Sequence, residues 1–339
     1  MAVSEDRRGK SAHQHGHHRE PEHLHGAIDA VLLTTRQGIR ACQWSFLALV
    51  ATALFQGVIV YLSGSVALLS DTIHNLGDAA TAIPLWVAYR LARARPTRRF
   101  TYGYGRVEDL AGVAVVLAII SSAVVAGYVS IDRLFHPQTI EHLGAVIVAS
   151  IVGFIGNEAV AVFRIRVGKR IGSAALIADG QHARIDGLTS LAVLVGAVGV
   201  WWGYPLADPV VGLVITAAIV GIAWSSGKAV FTRLLDGVDP EVVDEIVQTA
   251  SRTEGVKDVT EVRVRWSGHR LHAEVNVAVD PALSVEKGHE IAREVRHQLL
   301  HRLQYLSNAS IHVDPMTVSG EEHHRIVEHG HGDLAAHSH

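Results

Sequence analysis

Cysteine is almost absent from this chain of 339 residues, because Cys42 stands alone. A single thiol excludes an intrachain disulfide and a thiolate metal cluster within one chain. We therefore interpret Cys42 as a small hydrophobic residue of an apolar segment. The sequence also lacks a Walker loop, a nucleophile elbow and any other hydrolase constellation, which argues against an enzyme and against ATP-driven pumping. With a net charge of only −3, nothing in the composition points to nucleic acid.

We also expect no cleavable signal peptide, since no positively charged region leads into a short apolar segment at the N-terminus. Instead, both ends of the chain are polar and rich in histidine, over residues 1–38 and 317–339. Such a composition cannot build a core and predicts two disordered tails. One interpretation is that the imidazoles loosely capture divalent cations, and the other is that the tails are solvated and indifferent to metal.

Apolar residues are what the sequence has in quantity, at 49% of the composition. Six apolar segments each approach or exceed the roughly 20 residues that a helix needs to cross a bilayer. Together they predict a transmembrane bundle of six helices over residues 39–235. The segments lie near 40–62, 66–90, 107–134, 142–164, 174–201 and 208–231.

Basic residues are concentrated in alternate connections between these segments. Residues 90–99 and 164–170 are rich in arginine and lysine, whereas 63–65 and 202–205 contain neither, and Arg133 is the exception on that side. The positive-inside rule then places both termini in the cytoplasm. We expect a multi-pass protein of the cell (inner) membrane.

The chain changes character after residue 236, where a small soluble domain is predicted up to residue 316. Asp239-Pro240 is typical of a helix start, with a capping carboxylate and a proline at the first helical position. Alternating apolar residues on both sides of Ser267-Gly268 predict a β-hairpin. A second helix over 285–302 and a strand over 309–313 complete the order αββαβ, which suggests a ferredoxin-like α+β domain.

Two copies of one polar motif lie inside the apolar segments. The spacing D-x-x-H-x-x-x-D occurs in the second segment and again about a hundred residues later in the fifth. At about 100° per residue, each copy places its histidine and its last aspartate one turn apart on one helix face. An ionisable group in a membrane helix costs at least about 2.5 kcal/mol, so it normally faces the bundle interior and carries function. The copies are Asp71, His74 and Asp78, and Asp179, His182 and Asp186.

Brought together, His74, Asp78, His182 and Asp186 form a tetrahedral set of two imidazoles and two carboxylates that suits Zn²⁺. The two carboxylates balance a 2+ charge, and metal binding requires neutral imidazoles and so releases protons. We therefore expect Zn²⁺ to be exchanged for one or two protons. The alternative is that these polar groups only join helices by hydrogen bonds.

Four further polar residues in the apolar segments have more than one interpretation. Asp71 and Asp179 are ligands, outer partners that orient the histidines, or proton relays, and the pattern favours outer partners. Asn157 and Glu158 lie in the fourth segment, where a carboxylate needs a partner. Glu158 either lines a cation path, together with Asn157, or pairs with Arg164.

With these residues in view, the sequence resembles the cation diffusion facilitator family of divalent-metal/proton antiporters, and in particular its zinc-transporting members. The likeness runs from about residue 36 to residue 316 and leaves out only the tails. The matching segments are Ser65–Asp78, Phe100–Glu108, Ala178–Ser190, Ala207–Gly212 and Ser310–Pro315.

The resemblance implies six transmembrane helices, a Y-shaped homodimer and a cytoplasmic metallochaperone-like domain. It places the transport site on His74, Asp78, His182 and Asp186. It also implies a charge interlock between Arg106 and Asp236. A second site that some bacterial members carry in a Gly-His-Gly-Lys stretch is not expected, because residues 103–106 read Gly-Tyr-Gly-Arg.

The same resemblance implies a metal site in the cytoplasmic domain, where Zn²⁺ would act as a regulatory ligand. His312 and Asp314 match the last strand of the family and His289 matches a helix ligand. Thr260 and Asn276 stand where some members have histidine, so His269 or His272 would have to substitute.

Two other functions remain open at this point. The first is transport of another divalent cation, Cd²⁺, Co²⁺ or Ni²⁺ before Mn²⁺ or Fe²⁺, since affinity follows geometry and availability as much as ligand type. The second is a membrane metal sensor that does not transport. A duplicated site deep in the bilayer argues against the sensor, which needs ligands only where its stimulus is.

Overall fold

A computed structural model of the chain describes residues 25–63, 82–136, 143–204 and 206–316. Within these ranges, five helices are long and apolar enough to cross a membrane, and a shorter apolar helix spans Ala82–Ala92. The helices are α1 (His25–Ser63), α2 (Ala82–Ala92), α3 (Arg106–Phe135), α4 (Leu143–Ile171), α5 (Ala174–Trp201) and α6 (Ala207–Leu234).

The second of the six predicted segments falls mostly on residues 64–81, which lie outside the described ranges. Only its C-terminal part is described, as α2. The other five segments correspond to α1, α3, α4, α5 and α6. A bundle with at least five apolar helices is therefore established, and the sixth crossing stays a prediction.

The outer surface of the bundle is apolar. Val124 and Tyr128 of α3 and Trp224 of α6 are among the large apolar side chains that are exposed. A water-soluble protein seldom exposes apolar surface of this extent, whereas helices that face lipid tails do. The bundle therefore has the surface of a membrane domain.

The N-terminal boundary of the first helix differs from the prediction. Residues 1–38 were expected to be disordered, but α1 begins at His25. Residues 27–33 read Ala-Ile-Asp-Ala-Val-Leu-Leu, which extends the helix-compatible apolar pattern of the first segment toward the N-terminus. In addition, Thr35 is fully buried and contacts His269, so this part of the helix is fixed by tertiary packing.

A tight turn joins α4 to α5 and brings the two helices close together. Gly172 adopts a φ of 73° just after α4, a conformation that favours glycine at a helix C-terminus. Ser173 then caps α5, where its hydroxyl accepts a hydrogen bond from the Leu176 backbone N–H at 3.1 Å. Further along α5, a Cβ on Gly180 would lie 2.7 Å from Ile165 Cγ1. The absence of that Cβ allows the two helices to touch.

The C-terminal domain has the predicted αββαβ order. Its elements are α7 (Pro240–Ser251), β1 (Asp258–Ser267), β2 (Arg270–Val279), α8 (Val285–Arg302) and β3 (Leu306–Pro315). The hairpin pairs β1 antiparallel to β2, and β3 adds parallel to β2. Alternate residues of β2, among them Leu271, Ala273 and Val275, are buried beneath α7 and α8. The alternation of buried residues along β2 and the bounds of α8 were both predicted correctly.

Candidate functional site

Half of the proposed ligand set lies in the described part of the chain. His182 and Asp186 are one turn apart on the same face of α5, and their side chains are only 2% and 5% exposed. Their neighbours on the helix, Ala178, Ala183 and Ile185, are buried apolar residues. The imidazole and the carboxylate are therefore held inside the bundle, where the low dielectric strengthens their interaction with a cation.

The other half of the set, His74 and Asp78, lies outside the described residues, as does Asp71. The convergence of the two motif copies into one four-ligand site therefore stays a prediction.

Asp179, the first residue of the second motif copy, forms an ion pair with Arg164 of α4. Arg164 Nη1 lies 3.0 Å from Asp179 Oδ2, and the two side chains are 1% and 0% exposed. Whether Asp179 is an outer partner, a ligand or a proton relay stays a prediction, since this contact is with an arginine and not with His182. The alternative in which Glu158 pairs with Arg164 is wrong, because the two residues have different partners on α5.

Glu158 instead pairs with Arg184 of α5. The contacts are bidentate, with Arg184 Nη2 2.8 Å from Oε1 and Nε 3.1 Å from Oε2. Both side chains are one-third exposed. The neighbouring Asn157 is buried, and its Cβ would be 3.4 Å from a Cβ on Gly187. The Glu158 carboxylate therefore has an arginine partner. A role of Glu158 and Asn157 in a cation path stays a prediction.

Arg106 and Asp236 meet where the bundle joins the cytoplasmic domain. Arg106 at the start of α3 donates a hydrogen bond to the Asp236 carboxylate beyond the end of α6. The same guanidinium lies 3.3 Å from the Arg233 carbonyl oxygen and 3.4 Å from that of Leu234. The structure thus brings together the two residues of the expected interlock.

A second and more deeply buried polar network lies beside this contact. Glu108 is 1% exposed and accepts hydrogen bonds from His269 Nδ1 at 2.6 Å and from the His269 backbone N–H at 3.1 Å. Its other oxygen accepts from the Ser173 hydroxyl at 2.5 Å, and Tyr89 donates to Ser173 at 2.8 Å. Glu108 therefore ties the β1–β2 turn to the residue that caps α5.

The β1–β2 turn fits against α3 with no room for a side chain. Gly268 adopts a φ of 61°, and a Cβ there would lie 2.6 Å from Glu108 Oε2 and 2.8 Å from the Gly105 carbonyl oxygen. The Gly268 N–H donates to Asp109 Oδ2 at 3.1 Å. Nearby, the Arg233 guanidinium lies 4.1 Å from the centre of the Trp266 ring, a cation–π contact. The contact between the domains is therefore close and partly backbone to backbone.

Sequence reasoning missed this network. Glu108 and His269 are 161 residues apart in the chain, and no spacing rule connects them. The available signal was a carboxylate near the start of an apolar segment, since such a group needs a partner.

The five expected ligands of the cytoplasmic metal site are divided between two ends of the domain. His312 Nε2 lies 2.9 Å from Asp314 Oδ1 on β3. His272 is paired with Asn308, and His312 with Asn276, so the two histidines are four residues apart in register, or about 13 Å. His289 is exposed on α8. Among the residues that the structure describes, no three His, Cys, Asp or Glu side chains are placed to hold a metal ion.

His269 requires a correction as a substitute ligand. Its Nδ1 is taken by Glu108 and its Nε2 lies 3.0 Å from Thr35 Oγ1. The side chain is 3% exposed, so both ring nitrogens are used in the domain junction. Since His272 is remote from His312, neither histidine of the hairpin completes a site with His312 and Asp314 within one subunit.

His272 predicts a pH dependence of stability. Burial lowers the pKa of this imidazole, and the nearby cations Arg265, Arg270 and Arg106 lower it further. The folded state thus binds the proton less tightly than the unfolded chain. The contribution of His272 is present above the ordinary pKa of about 6.5 and is lost as the pH falls through the lowered folded value.

We therefore expect His272→Gln to weaken the loss of stability between about pH 7.5 and about pH 5.5. Thermal unfolding of the detergent-solubilised protein at both pH values measures this difference. The exposed His289, changed in the same way, is the matched control. An equal pH dependence in wild type and His272→Gln would contradict the assignment.

Comparison with known proteins agrees with this architecture. Residues 43–235 match the cation efflux transmembrane domain, and residues 238–316 match the cation efflux protein cytoplasmic domain. A probable cation efflux system protein of Mycobacterium tuberculosis is 57% identical over 296 residues, which cover 86% of this chain and 89% of that protein. Magnetosome protein MamB of Magnetospirillum gryphiswaldense is 27% identical and covers 80% and 92%.

A solved structure of a MamM C-terminal domain variant is 28% identical, covers 22% of this chain and 95% of that chain, and has a TM-score of 0.22. The fold and the matched domains define a multi-pass helical membrane protein with a small cytoplasmic α/β domain at its C-terminus. The chain belongs to the cation efflux family, the cation diffusion facilitators that its sequence resembles.

Proposed function

We propose that this protein is a secondary transporter that exports Zn²⁺ from the cytoplasm in exchange for protons. The proposed transport site consists of His74, Asp78, His182 and Asp186. The observation that carries the proposal is the burial of His182 and Asp186, one turn apart, on a membrane helix of a cation efflux protein. A matching pair in the second segment supplies the remaining two ligands.

The donor set favours zinc among the divalent cations. Imidazole nitrogen suits Zn²⁺, Ni²⁺, Cu²⁺ and Fe²⁺, whereas sites made only of oxygen suit Mg²⁺, Ca²⁺ and Mn²⁺. Two imidazoles with two carboxylates also match the tetrahedral geometry of zinc. Cd²⁺, Co²⁺ and Ni²⁺ are the alternative substrates, and Mn²⁺ and Fe²⁺ are less favoured.

Proton exchange follows from the same ligands. Two carboxylates in a low dielectric need a compensating charge when no metal is bound, and protonated imidazoles supply it. A metal ion binds only neutral imidazole, so its entry releases protons. An ordinary imidazole titrates near a pH of about 6.5, which places this exchange in the physiological range.

The coupling is tested with the purified protein in proteoliposomes that enclose a zinc-sensitive dye, with the membrane potential clamped at zero. One pH unit is worth about 1.4 kcal/mol per proton, so the steady-state zinc ratio across the membrane should change about tenfold per pH unit for each proton exchanged. The slope gives the number of protons. Protein-free liposomes are the control, and a zinc ratio indifferent to the pH gradient would contradict antiport.

The same vesicles separate a transporter from a metal sensor. A sensor binds Zn²⁺ but produces no protein-dependent uptake at any gradient. Parallel measurements with Cd²⁺, Co²⁺, Ni²⁺ and Mn²⁺ rank the substrates. Uptake of one of these cations in preference to Zn²⁺ would keep the transport mechanism and replace its substrate.

We further propose a homodimer in the cell membrane with six crossings per subunit and a cytoplasmic N-terminus. The match of residues 238–316 to the cytoplasmic dimer domain of the family supports the dimer. The basic connections at 90–99 and 164–170 support the orientation. A metal site that uses His312 and Asp314 would need further ligands, and a second subunit is the natural source.

A further inference from the structure

Arg164 is the bulkiest of the almost completely buried side chains in the described part of the chain. It lies on α4, about two turns before the end of that helix. An arginine stays protonated in proteins, so its charge is permanent. A buried permanent charge is tolerated only when it is paired. The pair is Asp179, whose Oδ2 lies 3.0 Å from Arg164 Nη1.

The ion pair lies close to the proposed metal ligands because of the position of Asp179 on α5. Asp179 precedes His182 by three residues on α5, so it stands one turn away on the same side of the helix. Arg164 Nη1 also lies 3.5 Å from the backbone carbonyl oxygen of Asp179. The arginine therefore holds both the side chain and the backbone of the turn that leads into the proposed metal ligands.

The packing of α4 on α5 is built to allow this contact. Gly180 directly follows Asp179, and a Cβ there would lie 3.1 Å from Arg164 Cβ as well as 2.7 Å from Ile165 Cγ1. Glycine at this position lets the stem of Arg164 lie against the α5 backbone. The close approach and the ion pair occur on the same helical turn.

We infer that Arg164 is a positioning residue that sets the charge of the proposed transport site. It fixes the α5 turn that carries His182, and it balances the charge of Asp179. This inference rests on the proposed function and adds to it a residue outside both motif copies.

The inference predicts a characteristic kinetic change. In Arg164→Met, Asp179 loses the positive charge of its arginine partner, and the added negative charge beside His182 attracts the divalent cation. The cation should then bind more tightly and leave more slowly. We expect KM for zinc to fall and the maximal rate to fall by at least about tenfold, which is the scale of losing an outer partner of a metal ligand.

The experiment measures initial zinc uptake against zinc concentration in proteoliposomes that contain the full-length protein. Arg164→Lys keeps the charge and should retain the wild-type KM. Arg164→Met combined with Asp179→Asn removes both charges, so KM should return toward the wild-type value and the maximal rate should exceed that of Arg164→Met, since losing one partner of a buried pair is more harmful than losing both. A purely space-filling role predicts no such rescue.

The matched control is another arginine–aspartate pair between helices, Arg133 of α3 and Asp208 of α6, at 2.8 Å. The double change Arg133→Met with Asp208→Asn should leave KM unchanged. Wild-type kinetics in Arg164→Met would overturn the inference, and so would a double variant as slow as the single one with unaltered KM. If Arg164→Met does not reach the membrane folded, the double variant decides by the same criteria.

The wild-type protein in the same assay separates this inference from the proposed function. If wild type carries another divalent cation instead of zinc, the proposed substrate is wrong and the Arg164 series is measured with that cation. If wild type carries none, the transport proposal and the inference both fall. Zinc uptake by wild type with unaltered Arg164 variants contradicts the inference alone.

Discussion

Asp186→Asn should abolish zinc transport while leaving the protein in the membrane. The change keeps the size of the side chain but removes the charge and one ligand oxygen. Losing an outer partner of a ligand already costs about 10- to 100-fold in affinity or activity, so losing a ligand should cost at least about 100-fold. The measurement is initial zinc uptake by proteoliposomes, normalised to the amount of folded protein.

Asp132→Asn is the matched control for this change. Asp132 is an exposed aspartate near the end of α3, where its carboxylate lies 3.1 Å from His136 Nδ1. An exposed pair of this kind is worth at most about 1 kcal/mol, so transport should stay near the wild-type rate. Uptake by Asp186→Asn at a rate similar to that of Asp132→Asn would show that the cation takes another route.

Glu108→Ala should produce the largest loss of stability among single changes at the domain junction. The carboxylate accepts hydrogen bonds from Ser173, from the His269 side chain and from the His269 backbone, and all of them are buried. Its removal leaves three donors without an acceptor. Breaking a buried pair in this way costs about 3 to 5 kcal/mol. Thermal unfolding in detergent measures the effect.

Glu290→Ala provides the comparison on the surface of the cytoplasmic domain. Glu290 is exposed and lies 2.7 Å from Lys287 Nζ within one helix. An ion pair between two fully exposed side chains contributes little to stability, because water screens it. If Glu108→Ala unfolds at the same temperature as Glu290→Ala, the buried network does not hold the domains together.

Glu108→Ala should also slow transport, because Glu108 positions Ser173, the residue that caps α5. Ser173 accepts the hydrogen bond that begins this helix, and Glu108 orients the Ser173 hydroxyl. A substitution in the β1–β2 turn should also slow transport, because this turn contacts Glu108. Gly268→Ala places a Cβ against the Glu108 carboxylate and forces the turn away from α3.

The regular elements were largely predictable from the sequence because their signals are local. Apolar length identified α3, α4, α5 and α6, and alternation around Ser267-Gly268 identified the hairpin. The helix over 285–302 has the predicted bounds, since Ser284 caps its first turn and its apolar residues repeat with helical spacing.

The contacts between elements were harder to predict from the sequence, and Arg164 is an example. Its six-residue separation from Glu158 on α4 leaves the two side chains about 120° apart around the helix, so they do not lie on one face. Arg164 reaches Asp179 and Glu158 reaches Arg184, both across the α4–α5 contact. The order of the polar residues in the chain gives no indication of this exchange of partners.

Trp266 gives the protein an optical signal at the point where its two domains meet. Of the six tryptophans in the chain, it alone belongs to the cytoplasmic domain. Its ring is buried and lies under the Arg233 guanidinium at the end of α6. Indole fluorescence responds to a nearby cation and to water, so separation of the domains should alter its emission. A variant that retains only Trp266 would follow movement of the domains during turnover without an added label.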